Sequence, residues 1–86
     1  MDHLDRLKPG DEIGGEKVIL TLAYRDEEDD LNRLFITNRK EPKDGFHIFS
    51  HTTAEPLHQL KCYHSNLNSA IDRLADIVRI SCNTNY

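Results

Sequence analysis

The sequence is poor in the residues that mark several classes of protein. It has two cysteines, three prolines and no tryptophan among 86 residues. Cys62 and Cys82 form neither a Cys-x-x-Cys pair nor a larger disulfide or zinc framework. No apolar run approaches the ~18 residues of a membrane-spanning helix, and the first residues lack the basic and apolar regions of a signal peptide. We therefore expect a cytoplasmic protein with reduced thiols, no structural disulfide and no membrane contact.

Length and composition favour one small globular domain. The chain is 37% hydrophobic and 30% charged, which is typical of folded proteins. At this size the hydrophobic core is small, so we expect a stability on the order of 5 kcal/mol. The formal net charge of -4 comes from one acidic run, Asp26, Glu27, Glu28, Asp29 and Asp30, since the rest of the chain is nearly neutral. The charge therefore describes one loop and not the whole domain.

Four segments have the β-branched and aromatic content of strands, and they cover residues 17–25, 33–39, 46–51 and 57–63. The acidic run separates the first two segments and is predicted to be a hairpin loop. A Pro-Lys-Asp-Gly turn separates the second and third. The segments therefore predict an antiparallel meander within residues 16–64.

The C-terminal segment has the spacing of an amphipathic helix over residues 65–82. Its apolar positions are Leu67, Ala70, Ile71, Leu74, Ile77 and Val78. Ser65 or Asn66 is the expected N-cap, and Asn83 is the expected end. Asp2 is expected to cap a short N-terminal helical turn within a lead-in of residues 1–15. The prediction is a single α+β domain over residues 1–86, a four-stranded meander with one C-terminal helix packed on one face (β-β-β-β-α).

One helix covers one face of such a sheet, and the two-residue period of strands predicts which face. The even-numbered positions are the more apolar, and they are Val18, Leu20, Leu22, Tyr24, Leu34, Ile36, Phe46, Ile48, Leu60 and Cys62. The opposite register would bury Arg33, Arg39 and Lys61, at several kcal/mol for each unpaired charge. We expect the even positions to lie under the helix.

The other face is then predicted to combine aromatic and basic side chains, among them Phe35, Phe49, Tyr63, Arg33, Arg39, Lys61 and His47. Exposed aromatic residues in a patch usually mark a partner surface. The alternative is that residues 1–15, with Leu4, Leu7 and Ile13, fold back over this face and bury it.

Motifs for catalysis or metal binding are missing. His47 and His51 would lie about 13 Å apart along one strand, and no third or fourth ligand completes a site. There is no nucleophile elbow, P-loop or dinucleotide fingerprint. The acidic run lacks the ligand spacing and central glycine of a calcium loop, so it is either a solvated tip or an electrostatic hook for a basic partner. We expect no enzyme, no metal and no cofactor.

Two functions fit this pattern. The first is a protein-interaction module of the inhibitor or adaptor type that docks through the aromatic face, the acidic loop or both. A homodimer through the sheet face is its simplest form. The alternative is single-stranded nucleic-acid binding, in which bases stack on Phe35, Phe49 and Tyr63 while nearby Arg and Lys track phosphates. The acidic net charge weighs against this alternative.

Overall fold

A computed structural model of the chain describes residues 7–40, 44–52 and 57–82. The elements are β1 (Glu12–Ile13), β2 (Glu16–Arg25), β3 (Leu31–Arg39), β4 (Gly45–His51), β5 (His58–His64) and α1 (Leu67–Cys82). The strands form one antiparallel sheet in the order β1-β2-β3-β4-β5. The prediction of an α+β fold with an antiparallel sheet and a C-terminal helix is confirmed.

The predicted number of four strands is wrong, because a short strand precedes the first predicted one. Gly14 and Gly15 have φ angles of 57° and 86°. Positive φ at both central residues is what a two-residue type I′ hairpin turn requires. The turn lets Glu12 pair with Lys17, and Ile13 with Glu16. The predicted N-terminal helical turn lies almost entirely outside the described residues.

The register of the central strands places even positions of β3 and β4 beneath the helix, as predicted. Ile36 pairs with Ile48, and both are fully buried in a cluster with Leu34, Ala70 and Leu74. Burial of each large aliphatic side chain stabilises the fold by roughly 1.5–3 kcal/mol. The helix packs mainly on β3, β4 and β5.

The start of the helix is fixed by a side-chain cap. The Oδ1 of Asn66 accepts a hydrogen bond from the amide of Ser69 at 2.9 Å, so Asn66 is the N-cap. At the other end, Arg79 and Asp76 form an ion pair with a 2.6 Å contact, which adds a few tenths of a kcal/mol at an exposed position.

One register prediction fails in β2. Val18 was expected under the helix, but it lies on the opposite face, buried with Phe35 and Phe49. An irregularity between Val18 and Leu20 shifts the pairing with β3. An extra residue of this kind reverses the alternation of side chains, so both Ile19 and Leu20 pack on the helix-side cluster. Leu22, also predicted to be covered, stays exposed. The side chain of Cys62 lies outside the described part of the chain.

Candidate functional site

The centre of the sheet face opposite the helix is buried. Phe35 and Phe49 pair across β3 and β4, but they are only 0% and 9% exposed. They pack with Leu7 and Ile13, together with Val18. The prediction that these two rings are exposed is wrong, because the segment before β2 folds over them. This is the covering arrangement that the sequence left open, and its third residue, Leu4, lies outside the described residues.

His47, predicted as a contact for a partner, is also buried. Its Nδ1 lies 2.9 Å from Oε1 and 3.1 Å from Oε2 of Glu16. The hydroxyl of Thr37 donates to the same Oε1 at 2.7 Å. Glu16 thus connects β2, β3 and β4 on the covered face. The cluster satisfies polar groups that burial would otherwise destabilise.

Tyr63 is the one aromatic of the predicted patch that is exposed. Its ring meets His47 edge-on, with centroids 5.8 Å apart, and the guanidinium of Arg39 lies 5.1 Å from the ring centroid. Its hydroxyl donates to the carbonyl of Asp44 at 2.7 Å. The ring is therefore engaged on several sides. Among the other predicted residues, Arg33 is half-buried, and the side chain of Lys61 lies outside the described residues.

The acidic run forms the loop between β2 and β3, as predicted, and its five carboxylates have different roles. The Oδ1 of Asp26 accepts hydrogen bonds from the amides of Glu28 and Asp30 at 2.9 and 3.0 Å. Its Oδ2 accepts from Nδ2 of Asn32 at 3.0 Å. Asp26 therefore fixes the shape of the loop, while Glu27, Glu28 and Asp29 are exposed.

The electrostatics of the loop follow from these bonds. The hydrogen bond from the amide of Asp30, followed by those from the Asn32 side chain and the Glu28 amide, lowers the pKa of Asp26 from its ordinary value of 3.8. Asp29 has a positive φ of 66°, and its backbone carbonyl accepts a hydrogen bond from Arg25 at 3.0 Å. The loop is therefore a defined anionic structure with one basic residue tied to its edge.

A pocket of about 350 Å³ lies beside this loop. Two neighbouring strands contribute to its wall, because Tyr24 of β2 pairs with Asn32 of β3, and Thr52 directly follows the end of β4. The lining residues are Tyr24, Asp26, Glu27, Glu28, Asn32 and Thr52.

The residue that the sequence reasoning missed is Asn32. It is 5% exposed, and its Oδ1 is buried with no hydrogen-bond partner among the described residues. Its position gave a signal, since an amide side chain lies two residues after the acidic run, at the second position of a strand. The predicted strand started at Arg33 and so left Asn32 in the loop.

The described residues hold no group of three or more His, Cys, Asp or Glu side chains placed to bind a metal ion. Within the same ranges, no helix has the length and apolar character needed to cross a membrane. Comparisons with models of protein families, with curated proteins and with solved structures each found no match for this chain.

Proposed function

We propose that this chain is a small non-enzymatic interaction domain, of the inhibitor or adaptor type, that binds a basic protein partner through the loop Asp26–Asp30. The observation that supports it best is the hydrogen bonding of Asp26 to Glu28, Asp30 and Asn32. The carboxylate of Asp26 therefore holds the loop in shape, and the neighbouring carboxylates are left on the surface of the loop.

A loop of fixed shape is suited to recognition. Glu27, Glu28 and Asp29 are exposed, and like charges this close repel one another. A partner with Lys or Arg at matching positions relieves this repulsion and gains electrostatic complementarity. Because the loop is already ordered, binding does not have to order it, which favours affinity.

Nucleic-acid binding and homodimerisation through the sheet face have less support. Phe35 and Phe49 are buried, so neither base stacking nor a homodimer can use them without displacing Leu7 and Ile13. Tyr63 alone, with its hydroxyl bonded to Asp44, offers little stacking surface. The acidic loop therefore carries the proposal.

The test is a fluorescence anisotropy titration with a short labelled peptide in which lysines and arginines alternate with glycines. The loop variant combines Glu27→Gln with Glu28→Gln, and it spares the structural Asp26. The matched control combines Glu12→Gln with Asp72→Asn, both at exposed positions away from the loop. The two variants remove the same charge.

We expect the loop variant to bind the peptide about threefold to tenfold more weakly at low salt, as the loss of two exposed ion pairs implies. The control should bind like the wild type, and all affinities should fall at about 0.15 M salt. Equal effects of the two variants would contradict the proposal, since net charge alone would then explain binding. Tighter binding of a labelled single-stranded oligonucleotide than of the peptide would also overturn it.

A further inference from the structure

One residue that lines the pocket beside the acidic loop carries a buried acceptor that no donor among the described residues satisfies. Asn32 is 5% exposed, and its Nδ2 is committed to Asp26 at 3.0 Å. Its Oδ1 is buried without a partner in the described part of the chain. A buried carbonyl without a donor is unfavourable. This observation is independent of the acidic charge, and it indicates a ligand that brings N–H groups.

The other groups around the pocket narrow the chemistry of that ligand. Asp26, Glu27 and Glu28 line it, and ionised carboxylates only accept hydrogen bonds. Tyr24, an aromatic residue, lines it as well. A ligand that fits all of them is cationic, rich in N–H donors and flat enough to lie on an aromatic ring.

A guanidinium meets these conditions better than an ammonium ion. It carries five N–H donors in one plane, it is weakly hydrated, and it stacks on aromatic rings. An ammonium is a compact, strongly hydrated point charge that makes fewer directional contacts with spread acceptors. Arg25 cannot fill this role from within the chain, because it bonds to the carbonyl of Asp29 and is not among the residues that line the pocket.

We propose that this pocket binds the guanidinium of an arginine side chain from the basic protein partner, with Asn32 and the loop carboxylates as acceptors and Tyr24 as the stacking surface. The inference rests on the proposed function, and it specifies which basic residue the partner must supply. Residues that only neutralise charge, such as lysines, are then expected to bind around the pocket but not in it.

The experiment compares two labelled peptides that are identical except that one carries arginines where the other carries lysines. Both are titrated against the wild type, Asn32→Ala and Tyr24→Leu. Asn32→Ala removes the acceptor but also a donor to Asp26, so the amide signal of Asp30 reports whether the loop keeps its shape. Tyr24→Leu spares the residues whose hydrogen bonds to Asp26 shape the loop, and it removes the aromatic side chain.

We expect the wild type to bind the arginine peptide about fivefold more tightly than the lysine peptide, which is the effect of one net hydrogen bond. The preference should fall to near unity in Asn32→Ala and should become smaller in Tyr24→Leu, while the affinity for the lysine peptide changes little. The control variant Glu12→Gln with Asp72→Asn should retain the preference.

The outcomes separate the two proposals. Binding that depends on Glu27 and Glu28 but does not distinguish arginine from lysine would overturn the guanidinium pocket and leave the proposed function intact. Failure of both peptides to bind at low salt would overturn both. An arginine preference that survives in both Asn32→Ala and Tyr24→Leu would place the guanidinium elsewhere and refute this inference.

Discussion

Replacing Phe49 with alanine is expected to lower the free energy of unfolding by about 3 kcal/mol. Truncating a buried phenylalanine costs about 3–5 kcal/mol, and Phe49 is 9% exposed. One side of its cluster is formed by Leu7 and Ile13, which belong to a short segment that can settle into part of the gap. This places the effect at the lower end of the range. If Phe49 were an exposed docking residue, its removal would change stability by about 0.5 kcal/mol.

Urea unfolding followed by circular dichroism measures this difference. With a denaturant dependence of about 1 kcal/mol per molar for a small domain, the midpoint should fall by about 3 M. Leu7→Ala should cost about 2 kcal/mol, the lower end for a buried leucine. Because Leu7 and Phe49 share one cluster, the double variant should lose about 0.5–1 kcal/mol less than the sum of the single effects.

Leu31→Ala is the matched control for Leu7→Ala, because it makes the same leucine-to-alanine change at a position that is 45% exposed. It should cost less than about 1 kcal/mol. The reasoning is refuted if Leu7→Ala destabilises the protein no more than Leu31→Ala. The segment before β2 would then not cover Phe35 and Phe49 in solution, and the aromatic face would again be available to a partner.

Two further predictions concern the rim of the sheet and the acidic loop. Gly45→Ala should destabilise the protein by about 1–2 kcal/mol, because the new Cβ would overlap the ring of Tyr63 and break its hydrogen bond to Asp44. In a Tyr63→Ala background this overlap is absent, so urea unfolding should show that Gly45→Ala is neutral or stabilising. The lowered pKa of Asp26 stabilises the loop fully above pH 3.8, the ordinary value, and this contribution is lost as the pH falls below it. NMR titration of the Asp26 carboxyl checks this, and a midpoint at or above 3.8 would contradict it.

The elements that the sequence predicts well are those with a strong and regular period. The helix repeats its apolar residues over about three turns, and it begins at Leu67, two residues after the predicted start at residue 65. The pairing of Ile36 with Ile48 beneath the helix follows from simple alternation. The irregularity at Val18 reverses this alternation, and a two-residue period cannot locate such an extra residue. The pair Gly14–Gly15 does not by itself predict a hairpin turn, because glycine pairs occur both in irregular breaks between elements and in tight turns.

The sequence likewise predicts some features of the candidate site and not others. The location of the acidic loop follows from the sequence, since the run lies between two strand segments. The role of Asp26 does not, because which of five adjacent carboxylates turns inward depends on the path of the loop. The exposure of Phe35 and Phe49 was a question of tertiary packing: two apolar residues far upstream, Leu7 and Ile13, decide it.

The arrangement of the two clusters explains why recognition is expected at the end of the sheet. One face is covered by the C-terminal helix and the other by the segment that leads into β2. A small domain has little apolar surface to spare, so both faces of this sheet serve stability. A site built on either face would compete with the core for the same side chains. The loop Asp26–Asp30 connects β2 to β3, and none of its residues belongs to either cluster, so its carboxylates can be exposed without loss of core. Charge and a polar pocket at that end are therefore compatible with the fold in a way that an open aromatic face is not.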